Sequence, residues 1–430
     1  MHSRLRSACP STRSAFLAGA VAAAGLAQPA APAVAATKTV GPGKQPAVVL
    51  ESPTSALVTY LRTDGTGVAV CRVRQDVPGC SAVADVTIPS TSGIRLLGHP
   101  SLVYGGSPFE DRGRWFLVVA DHYANATWVA ESTDAPALTF APPIVARGEA
   151  FSALTQDVLS GAPTPNSLTL VSDQGLASDS IRVTRIRKGR DGWGGGTSRV
   201  AAFTPPKGVF PQVALTAVGN PTGSGSAGEI IERTILVSAS RTSPTSLKQC
   251  LVEFDMDSES SAITADPNYG SQDPGRQELW KAVPGCIAKG RRPSFAPAAG
   301  AQVLSYIRES VFKGASVSFY RYTLAGGRES GPKGLNTDFS KGRFGVDSAT
   351  FTRAADGKLT LLWFTGKGQR QTLGVAHSSG GRNASWTGKR KVGKSNFVGD
   401  TLSGATWADG SGAAVWQDNG NVKIATFPRL

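Results

Sequence analysis

Seven times the chain returns to one plan: a short apolar stretch, a Gly/Asp turn, a second apolar stretch and a third, before the next copy begins. The opening stretches are AVVLESP from Ala47, HPSLVYGG from His99, TQDVLSG from Thr155, FPQVALTA from Phe210, RPSFAPAAG from Arg292, VDSATFT from Val346 and LSGATWADG from Leu402. The second stretches align too, as ALVTYLRTDG, RWFLVVADH, SLTLVSDQG, RTILVSASR, AQVLSYIRES, KLTLLWFTG and GAAVWQDNG. Copies are spaced by about 50 to 57 residues, except for one interval of about 80 between Phe210 and Arg292. A strand-like unit of this size cannot bury its apolar face alone, and stacking its neighbours against it can. The period therefore predicts an all-β chain folded as a β-propeller of seven four-stranded blades, with six as the alternative if the first and last units combine differently.

The second unit reads most clearly. His99 opens its first strand, Arg114–Asp121 is the second, Ala126–Glu131 the third and Leu138–Val145 the fourth. The last unit runs out after a third strand at Asn421–Phe427. An unpaired strand edge is a template for aggregation, so Thr37–Lys44 is predicted to supply the missing outer strand and close the ring. Asp255–Asp273, polar and rich in Ser, Asp and Glu, is expected as a solvent-exposed excursion of the fourth unit, and Asn220–Gly228 reads as a Gly/Ser-rich, flexible insertion.

Composition agrees with this class. Glycine is abundant at 50 residues, charged residues make up only 18%, and few segments carry a helical period. Residues 1–36 have the pattern of a secretory signal peptide: Arg4, Arg6 and Arg13, an apolar run from Ala15 to Ala27, and Ala33-Val34-Ala35 at the expected cleavage site. The alternative is an uncleaved N-terminal anchor. Residues 37–430 are expected as a single propeller domain, exported to the extracellular space as a monomer, with no membrane span.

Cys71, Cys80, Cys250 and Cys286 remain after that cleavage, an even number suited to an oxidising compartment. Among three connectivities, pairing within units is preferred, as Cys71–Cys80 and Cys250–Cys286. Both segments end alike, in Val77-Pro78-Gly79-Cys80 and Val283-Pro284-Gly285-Cys286. With no C-x-x-C present, the expected role is stapling. The formal charge is +14, and +11 without the three leader arginines, which suits anionic partners such as cell-wall polymers or acidic glycans. No specific nucleic-acid signal accompanies it. The basic clusters at Arg182–Arg190 and Lys389–Lys394 also read as solvated loop charge.

Where the third strand of the second unit turns into the fourth stands Ser132-Thr133-Asp134-Ala135-Pro136-Ala137-Leu138-Thr139-Phe140. This resembles the Asp-box of sialidase-like propellers, S-x-D-x-G-x-T-W, with one extra residue and Pro136 in place of the usual glycine. Ser379–Trp386 and Arg190-Asp191-Gly192-Trp193 are weaker matches in corresponding places. The resemblance implies a secreted bacterial propeller in which the box is structural: a carboxylate accepts backbone amides across a tight turn, and the aromatic ring packs between blades. Sialidases also carry an N-terminal Arg-Ile-Pro motif, which this chain lacks. The resemblance therefore transfers no catalytic residue.

Other chemistry is likewise missing. There is no G-x-S-x-G, no phosphate-cradling glycine loop and no H-E-x-x-H. Asp255-x-Asp257-x-Glu259 lacks the glycine and the distal glutamate of a calcium loop. No metal or cofactor is expected. Propeller ligands bind where the innermost strands begin, which nominates His99, Gln156, Asp157, Gln212, Arg291, Arg292, Asp347 and Asp400 as a central ring. Arg291–Arg292 would grip a carboxylate or phosphate, and the aspartates would orient sugar hydroxyls. The alternative is that these residues only satisfy one another and channel water. The expected function is non-catalytic binding of a carbohydrate or acidic cell-surface polymer. A divergent sialidase-like glycoside hydrolase or lyase is the second reading, and a protein-interaction scaffold the third.

Overall fold

Among the described residues, the thirty-one elements of the computed structural model are all β-strands. It describes residues 37–77, 79–90, 93–105, 114–134, 136–159, 162–173, 180–189, 192–194, 198–202, 212–220, 231–241, 249–257, 279–282, 288–289, 291–298, 301–310, 314–323, 327–328, 333–334, 346–353, 359–367, 370–378, 386–395 and 402–429. No helix among these residues is long and apolar enough to cross a membrane.

The strands fall into six antiparallel sheets. Unit one contributes β1 (Thr37–Ser52), β2 (Ser55–Arg62), β3 (Gly67–Arg74) and β4 (Cys80–Thr87). Unit two has β5 (Leu97–Gly105), β6 (Arg114–Asp121), β7 (Ala126–Asp134), β8 (Thr139–Phe140) and β9 (Ile144–Arg147). Unit three has β10 (Ala153–Leu159), β11 (Ala162–Asp173), β12 (Ser180–Gly189), β13 (Gly192–Gly194) and β14 (Ser198–Ala202). Unit four has β15 (Gln212–Asn220), β16 (Ile231–Arg241), β17 (Gln249–Asp257), β18 (Leu279–Ala282) and β19 (Ala288–Lys289). Unit five has β20 (Arg291–Ala298), β21 (Ala301–Ser310), β22 (Gly314–Thr323), β23 (Gly327–Arg328) and β24 (Lys333–Gly334). Unit six has β25 (Val346–Arg353), β26 (Leu359–Lys367), β27 (Arg370–Ser378) and β28 (Trp386–Ser395), and unit seven has β29 (Ser403–Thr406), β30 (Gly412–Asp418) and β31 (Asn421–Phe427). First strands β5, β10, β15, β20, β25 and β29 begin at Leu97, Ala153, Gln212, Arg291, Val346 and Ser403, whereas β1 begins at Thr37, well before Ala47.

Units one and seven share one sheet of order β29-β30-β31-β1-β2-β3-β4. The shared strand is β1. Its first part, Thr37 to Pro42, pairs with β31, and from Gly43 onward it pairs with β2. Glycine is required at that switch. A Cβ on Gly43 would lie 2.4 Å from the Tyr60 ring and 2.7 Å from the Leu61 carbonyl oxygen. First strands of successive units touch: β1 with β5, β10 with β15, β15 with β20, β20 with β25, β25 with β29 and β29 with β1, while β5 meets β11.

The apolar clusters lie between neighbouring units. One joins Leu57, Val68 and Val86 of unit one to Leu102, Trp115 and Leu117 of unit two, and Phe116 and Val118 of unit two meet Leu168 and Ile186 of unit three. Leu362 and Phe364 of unit six pack on Trp416 and Phe427, and Val58 and Tyr60 pack on Trp407, Val415 and Val422. Where side chains are described, the second strands β2 and β6 are covered on both faces and buried along almost their whole length. This is why they read as unbroken apolar runs rather than alternating ones. The outer strand β4 alternates between half-buried and exposed positions, as an edge should.

Polar staples accompany these clusters. Arg72 donates through Nε and Nη2 to the two carboxylate oxygens of Glu51 at 2.7 and 2.6 Å, and through Nη1 to the Pro136 carbonyl, tying unit one to unit two. Lys188 of unit three reaches Glu131 of unit two at 2.5 Å, and Arg114 shares that carboxylate. Cys71 and Cys80 form the predicted disulfide. For the second pair, Cys250 lies in β17 opposite Lys289, and Cys286 falls outside the described residues.

One sequence expectation needs correcting. The fourth strand of unit two, expected over Leu138–Val145, is split into β8 and β9, which pair with different parts of β7. Pro142-Pro143 lies between them, and proline has no N–H for the ladder. In the preceding turn the Asp134 carboxylate accepts the Ala137 amide at 3.3 Å, and Phe140 packs on the cluster between units one and two. Trp193 packs edge-on to Phe116 across units two and three, with ring centroids 5.1 Å apart. Arg190 and Asp191 of the unit-three site lie outside the described residues. Residues 379–385 of the third lie outside the described residues.

Candidate functional site

First strands carry a repeated irregularity close to where they begin. In β1, Gln45 and Pro46 stand opposite one residue of β2; in β5, His99 and Pro100 stand opposite one residue of β6; in β20, Arg292 and Pro293 stand opposite one residue of β21. In β25, Asp347 is the extra residue between Val346 and Ser348. Each is a β-bulge with one surplus residue on the first strand. The cause is legible in three of them, because a proline inside a strand needs a place where no ladder donor is required. Bulges re-aim side chains and are enriched beside functional sites. The residue set out of register in each case is polar: Gln45, His99, Arg292 and Asp347.

The best-described part of this leading end is in units one, two and seven. Gln45 and His99 both adopt left-handed backbone conformations, with φ of 51° and 50°. Such angles are uncommon outside glycine and persist only where the surroundings enforce them. Here the enforcement is mutual. The His99 amide donates to Gln45 Oε1 at 3.0 Å, and the Gln45 amide donates to Gln417 Oε1 of β30 at 3.3 Å. The Gly43 amide meanwhile donates to the Gly420 carbonyl at 2.8 Å.

The His99 ring meets the His122 ring edge-on at 5.7 Å and lies 6.1 Å from the Phe151 ring. Gly98 leaves room for this, since a Cβ there would lie 2.8 Å from His122 Nε2. His99 is accessible to solvent. Yet desolvation, followed by repulsion from His122, lowers its pKa to about 4. A pKa this low keeps the ring neutral near pH 7.

Of the eight sequence-nominated residues, His99 is placed within this cluster. Gln156 and Asp157 lie in β10 at a register break, Gln212 opens β15, Arg291 opens β20 opposite Ile307, and Arg292 and Asp347 sit in bulges. Gln212, Arg291, Arg292 and Asp347 lie at the leading ends of their strands, whereas Gln156 and Asp157 lie in the middle of β10. Asp400 falls outside the described residues. Sequence reasoning missed Gln45, His122 and Gln417. Gln45-Pro46 could have been found, because it aligns with His99-Pro100 and Arg292-Pro293 one residue before its unit opens. His122 and Gln417 carry no comparable signal, since they reach the site from second strands and their turns. Among the described residues, no group of three or more His, Cys, Asp or Glu side chains is arranged to hold a metal ion.

No family model matches the chain, and no curated protein does. Solved structures similar to it include the β-propeller domain of the Trilobed protease from Pyrococcus furiosus, at 7% identity over 91% of this chain and 96% of that one, with a TM-score of 0.45. Aleuria aurantia lectin in complex with α-methyl-L-fucoside is similar at 12% identity over 83% of this chain and 98% of that one, TM-score 0.41. Kuenenia stuttgartiensis hydrazine synthase is similar at 12% identity over 91% and 98%, TM-score 0.46. Likenesses this distant leave ligand and activity to be argued from the residues of this chain.

Proposed function

We propose that this chain is a secreted, seven-bladed β-propeller that binds a carbohydrate or acidic cell-surface polymer, without catalysis, at the leading ends of its first strands. Seven blades follow if the largest sheet is divided within β1 at Pro42/Gly43, giving a four-stranded group on each side. Ring closure by the N-terminal strand is supported by the β1–β31 pairing and by the succession of contacts that leads from β1 round to β29 and back. Residues 1–36 are proposed as a cleaved signal peptide preceding a single domain, which intact-mass measurement of the exported protein checks directly.

The observation that carries the binding reading is the repeated bulge, which sets Gln45, His99, Arg292 and Asp347 out of register at equivalent places. A purely structural strand gains nothing from an interrupted ladder, whereas a ligand site gains polar side chains re-aimed away from the sheet. The net positive charge favours an anionic polymer. The test is a glycan array followed by turnover assays on every hit. Binding that disappears in Arg291→Ala/Arg292→Ala supports the proposal, and unchanged binding removes these arginines from the site. Sugar release lost in Asp157→Asn or Asp347→Asn would replace binding with glycoside cleavage, the reading implied by the sialidase-like resemblance.

A further inference from the structure

We infer that the leading end of unit two is a subsite for an uncharged sugar ring, with Tyr123 and Leu96 as its stacking wall and His99 and His122 as hydrogen-bonding partners for hydroxyl groups. The inference rests on the glycan-binding reading above and narrows it to a neutral residue at this position.

Asp121, the last residue of β6, builds the platform. It is 1% exposed, and its Oδ1 accepts the amides of Leu96 at 3.2 Å, Tyr123 at 3.0 Å and Ala124 at 3.2 Å. One buried carboxylate thereby clamps the chain segment before β5 to the β6–β7 turn. The His122 amide completes the clamp by donating to the Leu96 carbonyl at 2.9 Å. The two apolar side chains held by this device both face water: Leu96 is 58% exposed and Tyr123 is 53% exposed. A buried carboxylate that fixes the backbone amides of two residues with exposed apolar side chains makes a rigid surface rather than a loose loop.

Beside that surface, His122 and His99 present imidazoles, and His99 is held at a left-handed φ by its bond to Gln45. Non-glycine residues kept in such a conformation cluster at ligand sites. The occupant must offer an apolar face to Tyr123 and Leu96 and hydroxyls to the imidazoles of His99 and His122. A pyranose does both, with its C–H face on one side and its equatorial hydroxyls at the rim. Desolvation keeps the His99 ring neutral, so it offers one donor and one acceptor rather than a charge for a carboxylate. A charged sugar would be held elsewhere, at the Arg291–Arg292 pair of unit five.

The experiment probes an array of neutral and uronate oligosaccharides with the wild-type chain, Tyr123→Ala, Tyr123→Phe and Arg291→Ala/Arg292→Ala. Affinities for the hits are then measured by isothermal titration. The expected result is a neutral oligosaccharide bound by wild type, weakened about tenfold or more by Tyr123→Ala, kept by Tyr123→Phe, and little affected by the double arginine variant. Equal binding of that oligosaccharide by Tyr123→Ala overturns the subsite and leaves the glycan reading standing. Binding confined to uronates, and lost with the arginines, also overturns the inference while supporting the glycan reading. An array with no hits overturns both.

Discussion

Replacing Gly43 with alanine puts a methyl group where Tyr60 and the Leu61 carbonyl already are. The new Cβ would lie 2.4 Å and 3.0 Å from two carbons of the Tyr60 ring and 2.7 Å from the backbone oxygen of Leu61. The ring cannot simply swing aside, because Tyr60 is 5% exposed and packed in the cluster that holds Val58, Ala69, Trp407 and Val422. Overpacking of this kind costs about 1–3 kcal/mol. The reduced freedom of the unfolded chain returns about 0.4–1 kcal/mol, so a net loss of about 1–2 kcal/mol is expected. Gly148 is the control. A Cβ there meets nothing within 4 Å, so Gly148→Ala should be neutral or stabilising by a few tenths of a kcal/mol. Urea denaturation reads the difference as a lower midpoint for Gly43→Ala at an unchanged slope. Limited proteolysis should also show earlier cleavage near residue 43 in that variant. If Gly43→Ala is as stable as Gly148→Ala, β1 is not held against Tyr60 as described and the account of the shared strand fails.

Three further outcomes are expected. Removing the Cys71–Cys80 disulfide, whose cysteines are separated by 9 residues, should cost about 3 kcal/mol in chain entropy, read as a lower urea midpoint for Cys71→Ala/Cys80→Ala. Asp121→Ala leaves three amides without their acceptor and should destabilise by about 3 kcal/mol in the same assay, whereas an effect below about 0.5 kcal/mol would dismiss Asp121 as the organiser of its turn. His99 titrates at about 4 in the folded chain instead of its ordinary 6.5, so the unfolded state takes up the proton first as pH falls. Stability is then lost between those two values and is flat above them. The shift sets a ceiling of about 3 kcal/mol, which solvent contact at His99 discounts to roughly 1 kcal/mol. His99→Asn, which tolerates the left-handed backbone, should flatten that part of the stability–pH curve, and an unchanged slope would refute the assignment.

Much of the scaffold was legible because its cause is local. The apolar run from Ala56 to Leu61, the Asp64-Gly65 turn and the run of Val68, Val70 and Val73 specify strand, turn and strand without reference to anything distant, and β6 and β31 have the predicted limits. The fourth strand of unit two was misread where Pro142-Pro143 should have weighed more than apolar content. The site was half legible. Its residues were found wherever they sit at a first-strand opening, which repeats, and missed wherever they arrive from elsewhere. Gln45 was overlooked although its Pro46 marks the same bulge as Pro100 and Pro293.

By itself, then, the sequence determined the strand content, the period of the units and the places where prolines interrupt a first strand, since periodicity and the missing proline donor act over a few neighbouring residues. Only the tertiary structure decided that Thr37–Pro42 and the first strand of unit one are one continuous strand, that Arg72 reaches Pro136, and that Gln45, His99, His122 and Gln417 form one connected cluster. Those are contacts between residues as many as 388 positions apart, Thr37 and Ala425. They depend on how one unit is set against the next, and no pattern within a unit records that.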